Sequence, residues 1–380
     1  MIKRMRIKNF KSLSDVTVNL DDLTVLIGRT GSGKTNFVDA LRFIRQYLTT
    51  RNTSFVTNMG GWKRVVSATT KQPKSLSFEI VFSVQGVEGD FVYKVNLKEF
   101  PNNSDEFRLS SESLSLGDAT LFQSEAGAWV KVPKIVPLII PEGELMLATL
   151  SGIQEVAIAH VYLTDCLGCY DFPSDILQKS AQGSGKGLDD TGINYLETFA
   201  VIEGNLQALY NWREIVEALK VLIPSVKSVE TSKPNRKRVA VAHEIGDRSL
   251  VMDLSQESEG FRRFLAHLIA LYQSPPKQTL VFEEPEKGIH PGALAALAEQ
   301  LKACPKARRG QVIITTHSPE LLDKFPVDNI RIVERSNYET QIGSVTVEQM
   351  QSIKESLMST GEMLTVDPAR LSLVSTGTEV

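Results

Sequence analysis

The segment that most constrains this chain is Gly28-Arg29-Thr30-Gly31-Ser32-Gly33-Lys34-Thr35. It follows the apolar, β-branched run Leu23-Thr24-Val25-Leu26-Ile27 and precedes a stretch in which Phe37, Leu41, Ile44 and Leu48 recur at helical spacing. Strand, glycine-rich turn and helix, in that order, make a phosphate-binding loop. Its glycines let successive N–H groups point at an anion, and the helix N-terminus adds partial positive charge. Lys34 is expected to reach the β- and γ-phosphates of a nucleotide, and the Thr35 hydroxyl to ligate Mg²⁺. A look-alike, Gly183-Ser184-Gly185-Lys186, lacks the first glycine, the hydroxyl residue after the lysine and the preceding strand, and reads as part of a surface loop over 180–192.

The partners of such a loop lie far downstream. Thr279-Leu-Val-Phe-Glu283 reads as a strand that delivers Glu283-Glu284-Pro285-Glu286. In this arrangement the first carboxylate holds Mg²⁺ or its waters and the second, Glu284, polarises an attacking water. A second apolar strand, Gln311–Thr316, ends at His317. Parallel strands present their C-terminal ends to a ligand, so His317 is a candidate site residue. Between these motifs, Ser258-Glu259-Gly260 opens an apolar helix. It is either an N-cap before a core helix or a second anion-contacting turn. Because the phosphate loop is already complete, the second reading points to a site shared by two protomers.

The long interval between Lys34 and Glu284 predicts an insertion. Residues 76–138 alternate with period 2 (LSFEIVFSV, FVYKVNL) and suggest antiparallel strands. Residues 145–225 carry helical patterning. The expected organisation is a single domain over 1–380. A nucleotide-binding lobe with its β-subdomain occupies 1–144 and 265–350, a helical signature lobe 145–264 and a C-terminal tail 351–380.

Composition removes other classes. With 42 Lys+Arg against 45 Asp+Glu, the formal charge is −3, which excludes a uniformly basic nucleic-acid coat. Three cysteines rule out a disulfide scaffold, and Cys166-x-x-Cys169 lacks a second ligand pair for zinc. Neither a membrane-spanning run nor a signal peptide is evident, so a cytoplasmic protein is expected. Lys63-Arg64, Arg236-Lys237-Arg238 and Lys306 with Arg308-Arg309 read as solvated surface, although convergence on one face would make a salt-dependent DNA contact.

Taken together, these residues resemble ABC-type ATPases of the SMC and RecF group. The resemblance is carried by Lys8-Asn9-Phe10-Lys11-Ser12-Leu13, the loop from Gly28 to Asn36, Ser258-Glu259-Gly260, Glu283-Glu284-Pro285-Glu286 with Gly288-Ile289-His290-Pro291, and Thr316-His317-Ser318-Pro319. The EEPE and TTHSP wording is similar to ATPases related to the overcoming-lysogenization-defect (OLD) nucleases. The resemblance implies an α/β P-loop fold of ABC type with a mixed central sheet, an antiparallel β-subdomain and an inserted helical lobe. It implies ATP and Mg²⁺, the latter on Thr35 and Glu283. It also implies a homodimer, or a higher oligomer built from it, that sandwiches ATP, with Ser258 and Gly260 binding the γ-phosphate in trans. Glu284 would be the catalytic base and His317 the γ-phosphate sensor. The pattern departs from the family at Glu257, where many signatures have Leu, and at His290, where transporter-type domains carry Asp. The glutamine-loop residue stays open among Gln85, Gln123 and Gln154.

No heptad-bearing arm interrupts the chain, and the stretch after His317 is too short for an appended nuclease domain. The expected function is an ATP-hydrolysing dimeric switch that controls a separate nuclease or toxin subunit, in defence against phage. The alternatives are a RecF-type DNA-repair ATPase and a slow ATP-dependent scaffold.

Overall fold

A computed structural model of the chain describes residues 1–67, 75–100, 103–125, 128–131, 145–179, 187–205, 209–231, 238–366 and 368–372. The chain divides into two compact units. One contains Met1–Leu167 and Val327–Met358 with the C-terminal stretch, the other Gly168–Pro326 and Ser359–Val366.

The first unit opens with β1 (Ile2–Phe10) and β2 (Leu13–Asn19), an antiparallel hairpin, followed by β3 (Leu23–Ile27), buried along its whole length. Helix α1 (Lys34–Thr50) buries Phe37, Leu41, Ile44 and Leu48, the face expected from their spacing. After a short α2 (Trp62–Val65) come β4 (Ser75–Phe82), β5 (Phe91–Phe100), β6 (Asn103–Leu116), β7 (Ala119–Glu125) and β8 (Ala128–Lys131). They form one seven-stranded sheet in the order β2-β1-β4-β5-β6-β7-β8, every pair antiparallel. Period-2 patterning thus gives the expected antiparallel layer, with Leu76, Phe78, Ile80 and Phe82 of β4 turned inward. Phe43 of α1 joins it to the hairpin through ring contacts with Phe10 at 5.5 Å and Phe78 at 5.4 Å. Helices α3 (Met146–Thr149) and α4 (Gln154–Thr164) close this part of the unit, Tyr162 stacking on Phe82 at 4.6 Å. Beneath them lies Glu112, fully buried. It accepts hydrogen bonds from the Met146 and Leu147 N–H groups and the Tyr93 hydroxyl, and burial pushes its carboxyl up to about 7.

The second unit begins with β9 (Leu167–Tyr170), α5 (Ser174–Lys179), α6 (Tyr195–Gly204) and α7 (Leu209–Leu222). A feature not expected from the helical patterning follows: β10 (Val226–Thr231), β11 (Val239–Ile245) and β12 (Arg248–Asp253) form a three-stranded antiparallel sheet inside the 145–264 segment. Helix α8 (Glu259–Tyr272) is the unit's core and buries nearly every residue. Around it stand β13 (Thr279–Glu283), α9 (Leu294–Lys306), β14 (Gln311–Thr316) and α10 (Pro319–Leu322). His267 of α8 sits edge-on to Phe172 at 5.0 Å, and burial lowers its pKa to about 4.

The chain then returns to the first unit with β15 (Ile330–Ser336), β16 (Glu339–Val345), α11 (Val347–Lys354) and β17 (Leu371–Ser372). There the order is β17-β16-β15-β3, with β15 parallel to β3 and antiparallel to β16. In the second unit the order is β14-β13-β9, and β13 runs parallel to β14. Parallel and antiparallel pairs therefore coexist, as a mixed α/β fold requires. No helix among the described residues is long and apolar enough to cross a membrane.

Candidate functional site

In the first unit, β3 ends at Gly28, whose φ of 154° and surroundings admit no side chain: a Cβ there would lie 2.1 Å from the Val333 carbonyl oxygen. The chain turns through Arg29, Thr30 and Gly31, all exposed, into α1. Gly33 caps α1 without any side-chain hydrogen bond, so the first N–H groups of the helix keep their capacity for an anion. Lys34 is only 4% exposed, and its ammonium folds back to donate to the carbonyls of Gly28 at 2.8 Å and Arg29 at 3.2 Å. The Ser32 hydroxyl is buried and has no hydrogen-bond partner among the described residues. An orphaned donor, a lysine resting on loop carbonyls and an uncapped helix start fit a polyphosphate.

The loop is fixed from behind by hydroxyls that sequence reasoning missed. Thr340 Oγ1 donates to the Ser32 carbonyl at 2.8 Å and lies 2.6 Å from Ser12 Oγ, which accepts from Asn36 Nδ2 at 2.7 Å. Ser12 belongs to the Lys8–Leu13 opening, which is thereby tied to the residue after Thr35. Arg335 Nη1 donates to the Gly31 carbonyl at 3.3 Å. Lys63 and Arg64 are exposed, as expected of solvated surface, and with Lys11 and Arg335 they line a cavity of about 1060 Å³ that also reaches Ser12 and Asn36.

In the second unit, parallel register places Glu283 opposite Thr315, so the carboxylates and the histidine emerge side by side. The Glu284 N–H donates to the Thr315 carbonyl at 2.9 Å. Glu284 has φ 45°, a left-handed conformation rare for a glutamate, and this turns its carboxylate toward the strand end. Its Oε1 lies 3.4 Å from His317 Nε2, and its Oε2 accepts from Lys287 Nζ at 2.9 Å. Burial alone would lower the Lys287 pKa, but Glu284, Asp171 and Glu283 outweigh it and hold the pKa above its ordinary value. Glu286 has a part that the motif did not reveal. Its Oε1 accepts from Thr316 Oγ1 at 2.7 Å and from the His317 N–H at 3.0 Å, pinning the histidine's backbone. Its buried Oε2 has no partner among the described residues.

Ser258 is the N-cap of α8, its Oγ accepting from the Phe261 N–H at 3.2 Å. Capping uses the hydroxyl as acceptor and leaves its proton available to a phosphate. Gly260 is required by close approach, since a Cβ would meet the Gly288 carbonyl oxygen at 2.9 Å. His290 Nδ1 accepts from the Gly292 N–H, so it too acts as a local cap.

The structure thus gathers Gly28 to Asn36 in one unit and Glu283, Glu284 and His317 in the other, with Ser258 and Gly260 at the start of α8. Thr35 is exposed and Glu283 partly so, and both offer the hard oxygen donors that suit Mg²⁺. Cys169 is buried in β9, and no group of three His, Cys, Asp or Glu among the described residues is arranged to hold a metal. The look-alike lysine Lys186, and Arg236 and Lys237, lie outside the described residues.

Comparison with known proteins bears on the fold and the family. Residues 1–118 match the family model "AAA ATPase domain", and residues 192–323 match "AAA domain, putative AbiEii toxin, Type IV TA system". The chain is 23% identical to the Old nuclease of Escherichia phage P2 over 356 residues, covering 87% of this chain and 59% of that protein. It is 24% identical to Endonuclease GajA of Bacillus cereus (strain VD045) over 353 residues, covering 86% of this chain and 57% of the relative. It therefore spans less than two thirds of either. Among solved structures, an SmcHead bound to the C-winged helix domain of ScpA superposes with a TM-score of 0.59 at 14% identity, over 93% of this chain and 99% of the other. The Smc head domain with an extended coiled coil from Pyrococcus furiosus gives 0.57 at 14% identity, over 94% and 99%. The fold is that of an SMC head, and the two AAA models with the Old and GajA relatives make this chain similar to SMC- and OLD-like ABC-type ATPases.

Proposed function

We propose that the chain binds and hydrolyses ATP as a dimeric switch whose open and closed states control a nuclease or toxin effector carried by a partner subunit, in the cytoplasm and in defence against phage. The observation that carries the reading is the state of the phosphate loop: a buried ammonium resting on the Gly28 and Arg29 carbonyls, beside an orphaned Ser32 hydroxyl and an uncapped α1. In this reading Lys34 leaves the Gly28 and Arg29 carbonyls to hold β- and γ-phosphate oxygens, while the loop N–H groups take the remaining charge.

Thr35 and Glu283 would hold Mg²⁺, which neutralises charge on the phosphates when bound. Glu284 accepts a proton from the attacking water, and its contact with His317 keeps its Oε1 oriented for that task. His317, anchored by Glu286, senses the γ-phosphate. Ser258 and Gly260 of a second copy donate to the same phosphate. Bare ATP carries up to four negative charges, so gripping it from two sides favours closure and its cleavage favours release. The nuclease effector rests on the names of the two relatives, both nucleases, and the defence role on the resemblance to OLD-related ATPases alone.

Purified protein should release phosphate from ATP, and Lys34→Ala should bind ATP about a hundred-fold more weakly. Absence of turnover in wild type, under conditions where it binds ATP, would remove the hydrolytic part of the reading. A RecF-type role is favoured by the convergent cations Lys11, Lys63, Arg64 and Arg335. Stimulation of turnover by double-stranded DNA that vanishes with added salt would select it.

A further inference from the structure

The departure at Glu257 has a partner. Where an apolar residue would be unremarkable, Glu257 lies buried immediately before Ser258, and its Oε1 is 2.7 Å from Nε2 of His243, with both side chains 8% exposed. His243 is the middle strand's link to the turn. It sits mid-strand in β11, opposite Val226 of β10 and Leu250 of β12, and its Nδ1 is 3.0 Å from Ser225 Oγ. With Ser225 on one ring nitrogen and Glu257 on the other, the imidazole cannot rotate without losing a buried hydrogen bond.

The rest of the turn is held just as closely. Asp253, the last residue of β12, accepts from the Ser255 N–H, while Gln256 accepts from the Asp253 N–H, forming a capping box. The Arg262 guanidinium, one turn into α8, donates to the carbonyls of Ser255 and Glu257. Backbone, cap and guanidinium fix the turn to itself and to α8. The His243–Glu257 pair is its tie to the middle strand of the sheet, and it acts one residue from the Ser258 hydroxyl.

We propose that His243 is a positioning residue for the signature turn: through Glu257 it fixes the direction of the Ser258 hydroxyl and the Gly260 N–H, and so couples the β10–β12 sheet to capture of the γ-phosphate. This rests on the reading that Ser258 and Gly260 grip ATP. The pair touches no nucleotide itself. Removing the imidazole strands a buried carboxylate, which pulls the turn open to reach water, whereas removing both partners leaves an apolar contact that keeps it closed.

Four forms of the full chain test this: wild type, His243→Leu, His243→Gln and the double variant His243→Leu/Glu257→Leu. Hydrogen exchange at the amides of residues 257–262 is read without nucleotide, so it tests the positioning even if the protein never turns over. His243→Leu should speed that exchange roughly ten- to a hundred-fold, the energy of one stranded buried acceptor. His243→Gln, which keeps a donor, and the double variant should both stay near wild type. ATP turnover should follow the same order, with kcat of His243→Leu down about ten-fold or more and the affinity for ADP unchanged. Unchanged exchange in His243→Leu would overturn the proposal. So would a fall in melting temperature with kcat intact, since that marks a purely structural pair. If exchange behaves as expected but Ser258→Arg turns over like wild type, the positioning stands and the role given to Ser258 falls.

Discussion

The two units hold their candidate site residues by opposite means. In the first, nine consecutive residues from Gly28 to Asn36 supply the candidate ligands, most of them as backbone N–H groups whose direction is set by glycine and by the start of α1. In the second, Ser258, Glu284 and His317 come from three separate segments, and side-chain contacts hold two of them, Glu286 on His317 and Lys287 on Glu284, while the Phe261 backbone N–H holds the Ser258 hydroxyl. A backbone cradle tolerates change in its surroundings as long as its turns survive. A side-chain network fails at whichever member is lost. The same contrast extends to protons. The first unit buries Glu112, neutral up to about pH 7, and the second buries His267, neutral down to about pH 4.

The contrast can be broken at several points. The largest effect is expected from Glu284→Gln, which removes the proposed base and should lower kcat by about 10²–10⁴ while ATP stays bound. An active Glu284→Gln protein, in a phosphate-release assay, would defeat that assignment. Lys34→Ala should weaken ATP binding by about a hundred-fold, seen by calorimetry, because a buried charge-assisted contact is lost. If the second unit loses binding as severely on Ser258→Ala, the division between a binding cradle and a sensing network is wrong.

The pH response sharpens the comparison, with opposite signs. Glu112 has a folded pKa above its unfolded value, so its contribution is present below about pH 4.5 and is lost as pH rises through about 7. His267 has a folded pKa below its unfolded value, so its contribution is present above about pH 6.5 and is lost as pH falls through about 4. Each is on the order of 3 kcal/mol. Hydrogen exchange at pH 5 should therefore show the core of α8 opening more readily than β5 and β6, and His267→Phe should remove much of that difference. Equal opening of both regions at pH 5 would contradict it.

Smaller still, Gly260→Ala should destabilise the second unit by about 1–3 kcal/mol, measured by urea unfolding, because its methyl meets the Gly288 carbonyl. Glu286→Gln keeps an acceptor for Thr316 and should cost only about 1 kcal/mol.

Legibility followed the same division. β3, the loop and α1 could be read from sequence because apolar run, glycine spacing and helical period are local. β13 and β14 were readable for the same reason, and their parallel register brings Glu284 and His317 together as strand-end logic expects. The antiparallel sheet of β4 to β8 was visible in its period-2 alternation. The β10–β12 sheet was not, because β12 exposes Arg248 to Val251 in succession and shows no alternation. The Thr340–Ser12–Asn36 hydrogen bonds and the His243–Glu257 pair were hidden too, since each joins residues distant in sequence whose types carry no signal alone. Glu286 was half-visible: a third carboxylate in EEPE invited a role, but only the Thr316 and His317 contacts supply one.

The central claim, that ATP closes two copies of this chain on each other, is tested most directly by the mass of Glu284→Gln in Mg²⁺-ATP, measured by light scattering during gel filtration. The account predicts a dimer that returns to monomer when Ser258→Arg is added to the same chain. A monomer at saturating ATP, or a dimer indifferent to Ser258→Arg, would contradict it.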